Sequence, residues 1–341
     1  MKCRFLRWVR AGAGCLVLGS AALFAFKWGA DSRFFSAYDG GVPVKAEGLN
    51  ESTDTGALIR YAVLDGVRGA DGNDAAAAEN RIPILAHFPE DPSGNGSPLP
   101  CLIFLHGIGQ SKNFLGEIAP AFTSRGYAIA SFDQYTRGER RPDGGRGGIA
   151  AQALDLRKRA ALTVMETRRL VDYLSNDPRI APDEIYLVGA SFGAMMGAIA
   201  AAQEERLAGA ALIYGGGNWS LFGESAGART ELTPWQRRLA VGVGTFLLAP
   251  ADPVDWVGQV APRPVLLLNG SRDSIIPKAA ASALMQAAGP HAETIWYDSD
   301  HVGLDRDHVE VILEDVIDWL ERTRQGRAKK RVISQFSGDD S

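Results

Sequence analysis

Two stretches of the chain, GASFG at 189–193 and GESAG at 223–227, share the pattern G-x-S-x-G. Glycines flanking a serine permit a tight, strained strand-to-helix turn that lifts the hydroxyl above a sheet, where it can attack a carbonyl carbon. The bare pattern is a weak signal, and the surrounding residues decide between the two. Ser191 follows the apolar run Ile185-Tyr186-Leu187-Val188 and precedes a helix-compatible run from Ala194 to Ala200. Ser225 follows GGGNWSLF and precedes ARTELTPW, which read as neither a buried strand nor a packed helix. Ser191 is therefore the candidate nucleophile.

A serine hydroxyl needs a base to take its proton, and the base needs a carboxylate to orient it and stabilise its charged form. Of the five histidines, His301 closes WYDSDH at the carboxyl end of the last expected strand. His106, in LHG, precedes the serine and reads as structural, and His87 reads as a packed or edge residue. His291 falls in a loop and His308 opens the final helix. Asp273, ending LLLNGSRD, is the candidate acid. Asp298 and Asp300 are too close to His301 to reach around its ring, and Asp252 before Pro253 reads as a cap or turn. Negative charge on the carbonyl oxygen would be met by backbone N–H groups, those of Phe192 and of Ile108, with Gly109 the competitor for the second.

These groups need a scaffold, and the chain supplies an alternation of strands and helices. GALIRYAVLDG and RIPILAHFP read as two early strands after a polar stretch. The short apolar runs CLIFLHG, YAIASFD, EIYLVG, LAGAALIYGG, RPVLLLNGS and AETIWYDSD then read as strands of a mostly parallel, doubly wound sheet. Between them lie helices near 113–125, over 149–175, after Gly193, after Pro277 and from Val309. The 149–175 helix sets Ala160, Val164, Thr167, Val171 and Leu174 on one face, leaving Arg157, Lys158, Arg168 and Arg169 for a solvated face. The alternation breaks at about 218–252, too long for an ordinary connection. That insertion reads as a lid, with an extra core helix as the alternative, and its Trp219, Phe222 and Trp235 are candidate substrate contacts.

The 341 residues are 46% hydrophobic and 22% charged, enough apolar content for a substantial core. The formal charge of −4 carries no polyanion-binding signature, so nucleic acid is not an expected partner. Lys2, Arg4, Arg7 and Arg10 precede an apolar run from Ala11 to Phe26 that stops at Lys27. That is the layout of an export signal, cleaved or kept as a membrane anchor, with a buried N-terminal helix as the alternative, and an export signal would place the protein in the cell envelope or outside the cell. Residues 1–30 are therefore set apart from a catalytic domain at 31–325, and residues 326–341 are expected to be a disordered tail. Removal of the signal would leave Cys101 as the remaining cysteine, unable to form an internal disulfide and read as a small core residue.

The motifs LHGIGQSK, RGYAIASFD, DEIYLVGASFG, RPVLLLNGSRDSIIP and DSDHVGL, in that order, resemble the α/β-hydrolase superfamily, in its dienelactone-hydrolase-like and serine-esterase branch. The resemblance spans roughly Leu58 to Arg322. It implies an α/β-hydrolase fold with a short helical lid and a triad of Ser191, Asp273 and His301. It further implies hydrolysis of a small-molecule ester with no metal or organic cofactor. The chain departs from true dienelactone hydrolases, which use a cysteine nucleophile. DQYTRGERR also replaces a glycine-histidine turn common among relatives, and reads as a salt-bridged surface loop or as cations facing an acidic substrate. The alternatives are a serine peptidase of the prolyl-oligopeptidase type, for which no upstream propeller has room, and a non-catalytic binding protein on the same fold.

Overall fold

The computed structural model describes residues 29, 31–54, 57–66, 81–89, 97–142, 149–227, 233–302 and 308–337. Among the described residues nine strands form one sheet in the order β1-β2-β3-β5-β4-β6-β7-β8-β9. β1 (Ala46–Asp54), β2 (Ala57–Asp65) and β3 (Arg81–Phe88) pair antiparallel, and β3 pairs antiparallel with β5 (Ala128–Phe132). From β5 onward the sheet is parallel through β4 (Leu99–Leu105), β6 (Ile180–Ala190), β7 (Ala210–Ile213), β8 (Val265–Gly270) and β9 (Ala292–Tyr297). β4 has β5 on one side and β6 on the other, so the strand order reverses there. A crevice opens at such a switch point, beyond the carboxyl ends of the strands.

Side-chain alternation along these strands feeds two cores, one on each face of the sheet. Ile103, Leu105, Leu187 and Leu267 point into the first, against α2 (Ile149–Ser175), α3 (Phe192–Gln203) and α6 (Lys278–Ala288). Leu102, Phe104, Tyr186, Val188, Leu266 and Leu268 point into the second, against α1 (Leu115–Thr123) and α7 (Val309–Ser337). Between β7 and β8, in the stretch expected to form the insertion, lie the α-helices α4 (Trp219–Gly227) and α5 (Pro234–Leu248).

The structure departs from the sequence reading in several places. β1 falls within the stretch read only as polar, because AEGLNESTD lies at a sheet edge and carries no apolar alternation. The inward face of α2 is as expected, with Val164, Thr167 and Val171 fully buried. Of its basic residues Lys158 is exposed, as expected, but Arg168 and Arg169 are not given over to solvent. The Arg168 guanidinium lies 3.9 Å over the Tyr38 ring, and Arg169 bonds the Pro43 carbonyl (3.0 Å) and the Asp65 carboxylate (2.7 Å). Residues 31–45 have no periodicity to betray them, yet they wrap this flank and sandwich the cations. At the other end α7 continues as helix to Ser337, where a disordered tail was expected from 326. The expected export signal or anchor falls on 1–28 and 30, outside the described residues. Among the described residues no helix is long and apolar enough to cross a membrane.

Candidate active site

Ser191 stands between the last residue of β6 and the first of α3, with φ 55° and ψ −118°. A non-glycine residue adopts that conformation only when its surroundings enforce it. The two glycines show why. A Cβ on Gly189 would lie 2.4 Å from the Gly193 carbonyl oxygen, and one on Gly193 would lie 1.9 Å from the Leu105 carbonyl oxygen. The turn can therefore press α3 against β4 only with both positions bare. The Ser191 N–H donates to the Ile213 carbonyl on β7 (2.8 Å), fixing the turn from the other side. Ser225, by contrast, lies within α4, where no strand leads into it.

His301 and Asp273 arrive from the loops after β9 and β8. Ser191 Oγ is 3.0 Å from His301 Nε2, and His301 Nδ1 is 2.7 Å from Asp273 Oδ2. The other carboxylate oxygen, Oδ1, accepts the N–H groups of Ile275 (2.8 Å) and Ile276 (2.7 Å). Those bonds aim Oδ2 at the imidazole, so Nδ1 carries the proton and Nε2 keeps a lone pair for the serine hydroxyl. The three residues that the sequence singled out as nucleophile, acid and base thus form one continuous hydrogen-bonded chain. Asp273 and His301 are both almost completely buried, with side chains 2% and 6% exposed.

Two neighbours of this chain were not legible in the sequence. Asp300 Oδ1 accepts the N–H of His301 (2.6 Å) and of Ser274 (2.8 Å), clamping the base loop to the acid loop. Those N–H bonds, that of Ser274 first, hold its carboxyl below the usual carboxylate range. Tyr214, in the left-handed region at φ 54°, sets its ring edge-on to the His301 imidazole at 5.7 Å and shares a hydrogen bond with Ser299 Oγ. Asp252 is a cap, as expected: its carboxylate accepts the N–H groups of Asn218 (2.7 Å) and Trp219 (3.0 Å).

The loop after β4 runs alongside the elbow. Gly107 is close enough that a Cβ there would touch the Ser191 Cβ at 3.5 Å. His106 is fully buried, its Nδ1 donates to the Gly107 carbonyl (2.8 Å), and burial holds its pKa below the ordinary histidine value. Gln134 Nε2 donates to the His106 carbonyl (2.8 Å), and Arg137 Nε donates to the Ile108 carbonyl. Phe192 opens α3, so its N–H has no helical carbonyl one turn behind it.

DQYTRGERR is more deeply embedded than a salt-bridged surface loop. Asp133 is fully buried and accepts the Lys112 N–H (2.9 Å), the Lys112 ammonium (3.0 Å) and the Glu139 N–H (2.9 Å). Arg140 forms a two-pronged ion pair with the fully buried Glu166 of α2, both contacts at 2.8 Å. The loop is the foundation beneath residues 106–110. Its one available sequence signal was an aspartate directly after an apolar strand.

The three aromatic residues singled out in the insertion are placed differently from one another. The Trp219 indole donates to the Ala251 carbonyl (3.0 Å) and packs on Phe222 at 5.5 Å. A Cβ on Gly216 would meet both Phe222 and Ile276 at 2.9 Å, which puts Phe222 beside the acid loop. Trp235 is 65% exposed and turned to solvent. α5 is not the core helix that its composition allowed, for none of its residues is buried. Cys101 is a core residue, as expected, and burial pushes its thiol pKa up. Among the described residues no three His, Cys, Asp or Glu side chains converge as a metal site would require.

Comparison with known proteins agrees with this architecture. The chain is 26% identical over 212 residues to Esterase YjfP of Escherichia coli (strain K12), covering 60% of this chain and 80% of that one. Its fold resembles the acetyl xylan esterase from Paenibacillus sp. R4 at a TM-score of 0.63 and 18% identity, covering 86% of this chain and 92% of that chain. It also resembles acetyl xylan esterase 1 from Thermoanaerobacterium sp. JW/SL YS485, at a TM-score of 0.57 and 18% identity, over 84% and 93% of the two chains. The sequence model of the dienelactone hydrolase family matches residues 88–323, and this α/β-hydrolase-fold chain belongs to that family.

Proposed function

We propose that the protein is a serine hydrolase that cleaves small carboxylic esters through an acyl-enzyme on Ser191. The single observation that carries this reading is the unbroken run of contacts from Ser191 Oγ through the His301 ring to Asp273. His301 Nε2 takes the hydroxyl proton as Oγ adds to the ester carbonyl. The imidazolium so formed is stabilised by Asp273 and returns the proton to the departing alkoxide, leaving the acyl group on Ser191. A water then repeats the sequence with His301 as base, releasing the acid and restoring the serine. The N–H groups of Phe192 and Ile108 take the oxyanion, each worth about 3–4 kcal/mol of transition-state stabilisation in such sites.

The names of the relatives favour this substrate class, since one is called an esterase and two structural neighbours are called acetyl xylan esterases. The charged and apolar N-terminal stretch supports an envelope or exported location. The test is hydrolysis of p-nitrophenyl acetate by the wild type, Ser191→Ala and Ser225→Ala. Loss of activity in the first variant alone supports the reading. Equal loss in both overturns the assignment of the nucleophile, and wild-type inactivity across a short-chain ester panel overturns the substrate class.

A further inference from the structure

α5 is built inside out. Thr233 and Gln236 close a capping box at its start, with Pro234 in the first turn, so it is a firmly initiated helix. Its inner side meets α4, where Gly223 lies so close that a Cβ there would come within 2.9 Å of Val241. On the opposite side Trp235, Leu239 and Val243 follow one another at four-residue spacing, 65%, 60% and 50% exposed. A surface helix ordinarily turns its charged residues outward. Here the exposed stripe is apolar, and the cation on its margin is Arg238. Leu154 of α2, 57% exposed, lies one turn before Arg157.

Arg157 shows where the chain arrives from. Its guanidinium bonds the Asp31 carboxylate (2.9 Å) and the Leu247 carbonyl in the last turn of α5, and lies 4.6 Å over the Phe34 ring. The chain is thus anchored at Asp31 beside the end of α5. Asp31 lies only five positions after Phe26, the last residue of the apolar run that begins at Ala11. At most about 17 Å of chain therefore lies between that run and the anchor point. The anchor point beside α5 is thus one that the sequence joins, over a short link, to an apolar segment preceded by four cations.

We propose that this outward face of α5, with Trp235, Leu239 and Val243 at its centre and Arg238 at its margin, docks in the plane of an anionic lipid surface. α5 has 15 residues, short of the roughly 20 needed to span a bilayer, and its one-sided apolar stripe suits a helix lying in the interface. Trp235 takes the position at the headgroup boundary that indoles favour. A second copy of the chain is a poorer occupant, because a stable dimer commits about 800 Å² on each partner and this stripe offers few side chains.

The test uses the full-length chain carrying Cys3→Ser and Cys15→Ser, with the environment-sensitive dye NBD attached at Leu239→Cys. Vesicles of phosphatidylcholine and phosphatidylglycerol are then added. The dye at 239 is expected to shift to the blue and brighten several-fold, while the same dye at the exposed Glu117→Cys on α1 stays unchanged. Leu239→Ser with Val243→Ser is expected to lower the vesicle partition coefficient about tenfold or more at an unchanged thermal melt. Absence of a response at 239, even in protein that sediments with the vesicles through its N-terminus, overturns the proposal. A shift that grows with protein concentration in the absence of vesicles assigns the face to a second copy and overturns it equally.

Discussion

Replacing Gly193 with alanine perturbs the elbow without touching any reacting group. The added Cβ would stand 1.9 Å from the Leu105 carbonyl oxygen and 2.5 Å from its carbon, both backbone atoms of β4. Real Cβ contacts essentially never fall below 3.0 Å, and a strand buried at the centre of the sheet cannot yield. The elbow must therefore retreat by about 1.1 Å, and a misplacement of about 1 Å at a reacting atom lowers rates by roughly 100-fold. Overpacking of this kind also costs about 1–3 kcal/mol of stability. The assay is kcat/KM on p-nitrophenyl acetate beside a urea unfolding curve. Gly116→Ala serves as the control, because a Cβ there meets nothing within 4 Å and helix propensity favours alanine by up to about 1 kcal/mol. We expect Gly193→Ala to lose at least about 100-fold in kcat/KM while folding cooperatively, and Gly116→Ala to lose nothing. A folded Gly193→Ala protein with activity within a factor of about two would mean that backbone contact does not set the position of Ser191.

Further outcomes follow from the groups beneath the site. Arg137→Ala removes the donor to the Ile108 carbonyl and should lower kcat/KM about tenfold with little change in melting temperature, checked by kinetics and calorimetry. Glu166→Gln leaves the Arg140 guanidinium buried beside a neutral amide and should destabilise the fold by about 3–5 kcal/mol in urea titration. Burial lowers the folded-state pKa of His106, so the unfolded chain binds its proton first as the pH falls below about 6.5. That contribution to stability is whole above the unfolded value and is lost as pH falls through the folded one. Unfolding curves of the wild type and His106→Asn should therefore converge on acidification, and parallel curves would contradict the assignment.

Much of the site was legible because its chemistry is carried by local signals. Gly189, Ser191 and Gly193 sit in five residues, and Asp273 and His301 each end an apolar run, so strand ends marked the functional loops. What escaped was the support, which depends on contacts between distant segments. The Arg140–Glu166 pair joins residues 26 apart, and the Arg169–Asp65 pair joins residues 104 apart. Charges that periodicity assigns to solvent are covered by chain with no periodicity of its own, as residues 31–45 cover α2. The same limit explains β1, whose edge position needs no apolar face. α5 misleads in the opposite direction, since an apolar composition normally means burial, and here it faces outward.

The proposed activity requires that one hydroxyl, on Ser191, be activated for covalent attack. A fluorophosphonate probe, followed by mass mapping of the labelled peptide, tests it most directly. A single phosphonylated residue, Ser191, is expected, with labelling lost in His301→Ala. Labelling at Ser225, or labelling of Ser191 that persists at full rate without His301, would contradict it.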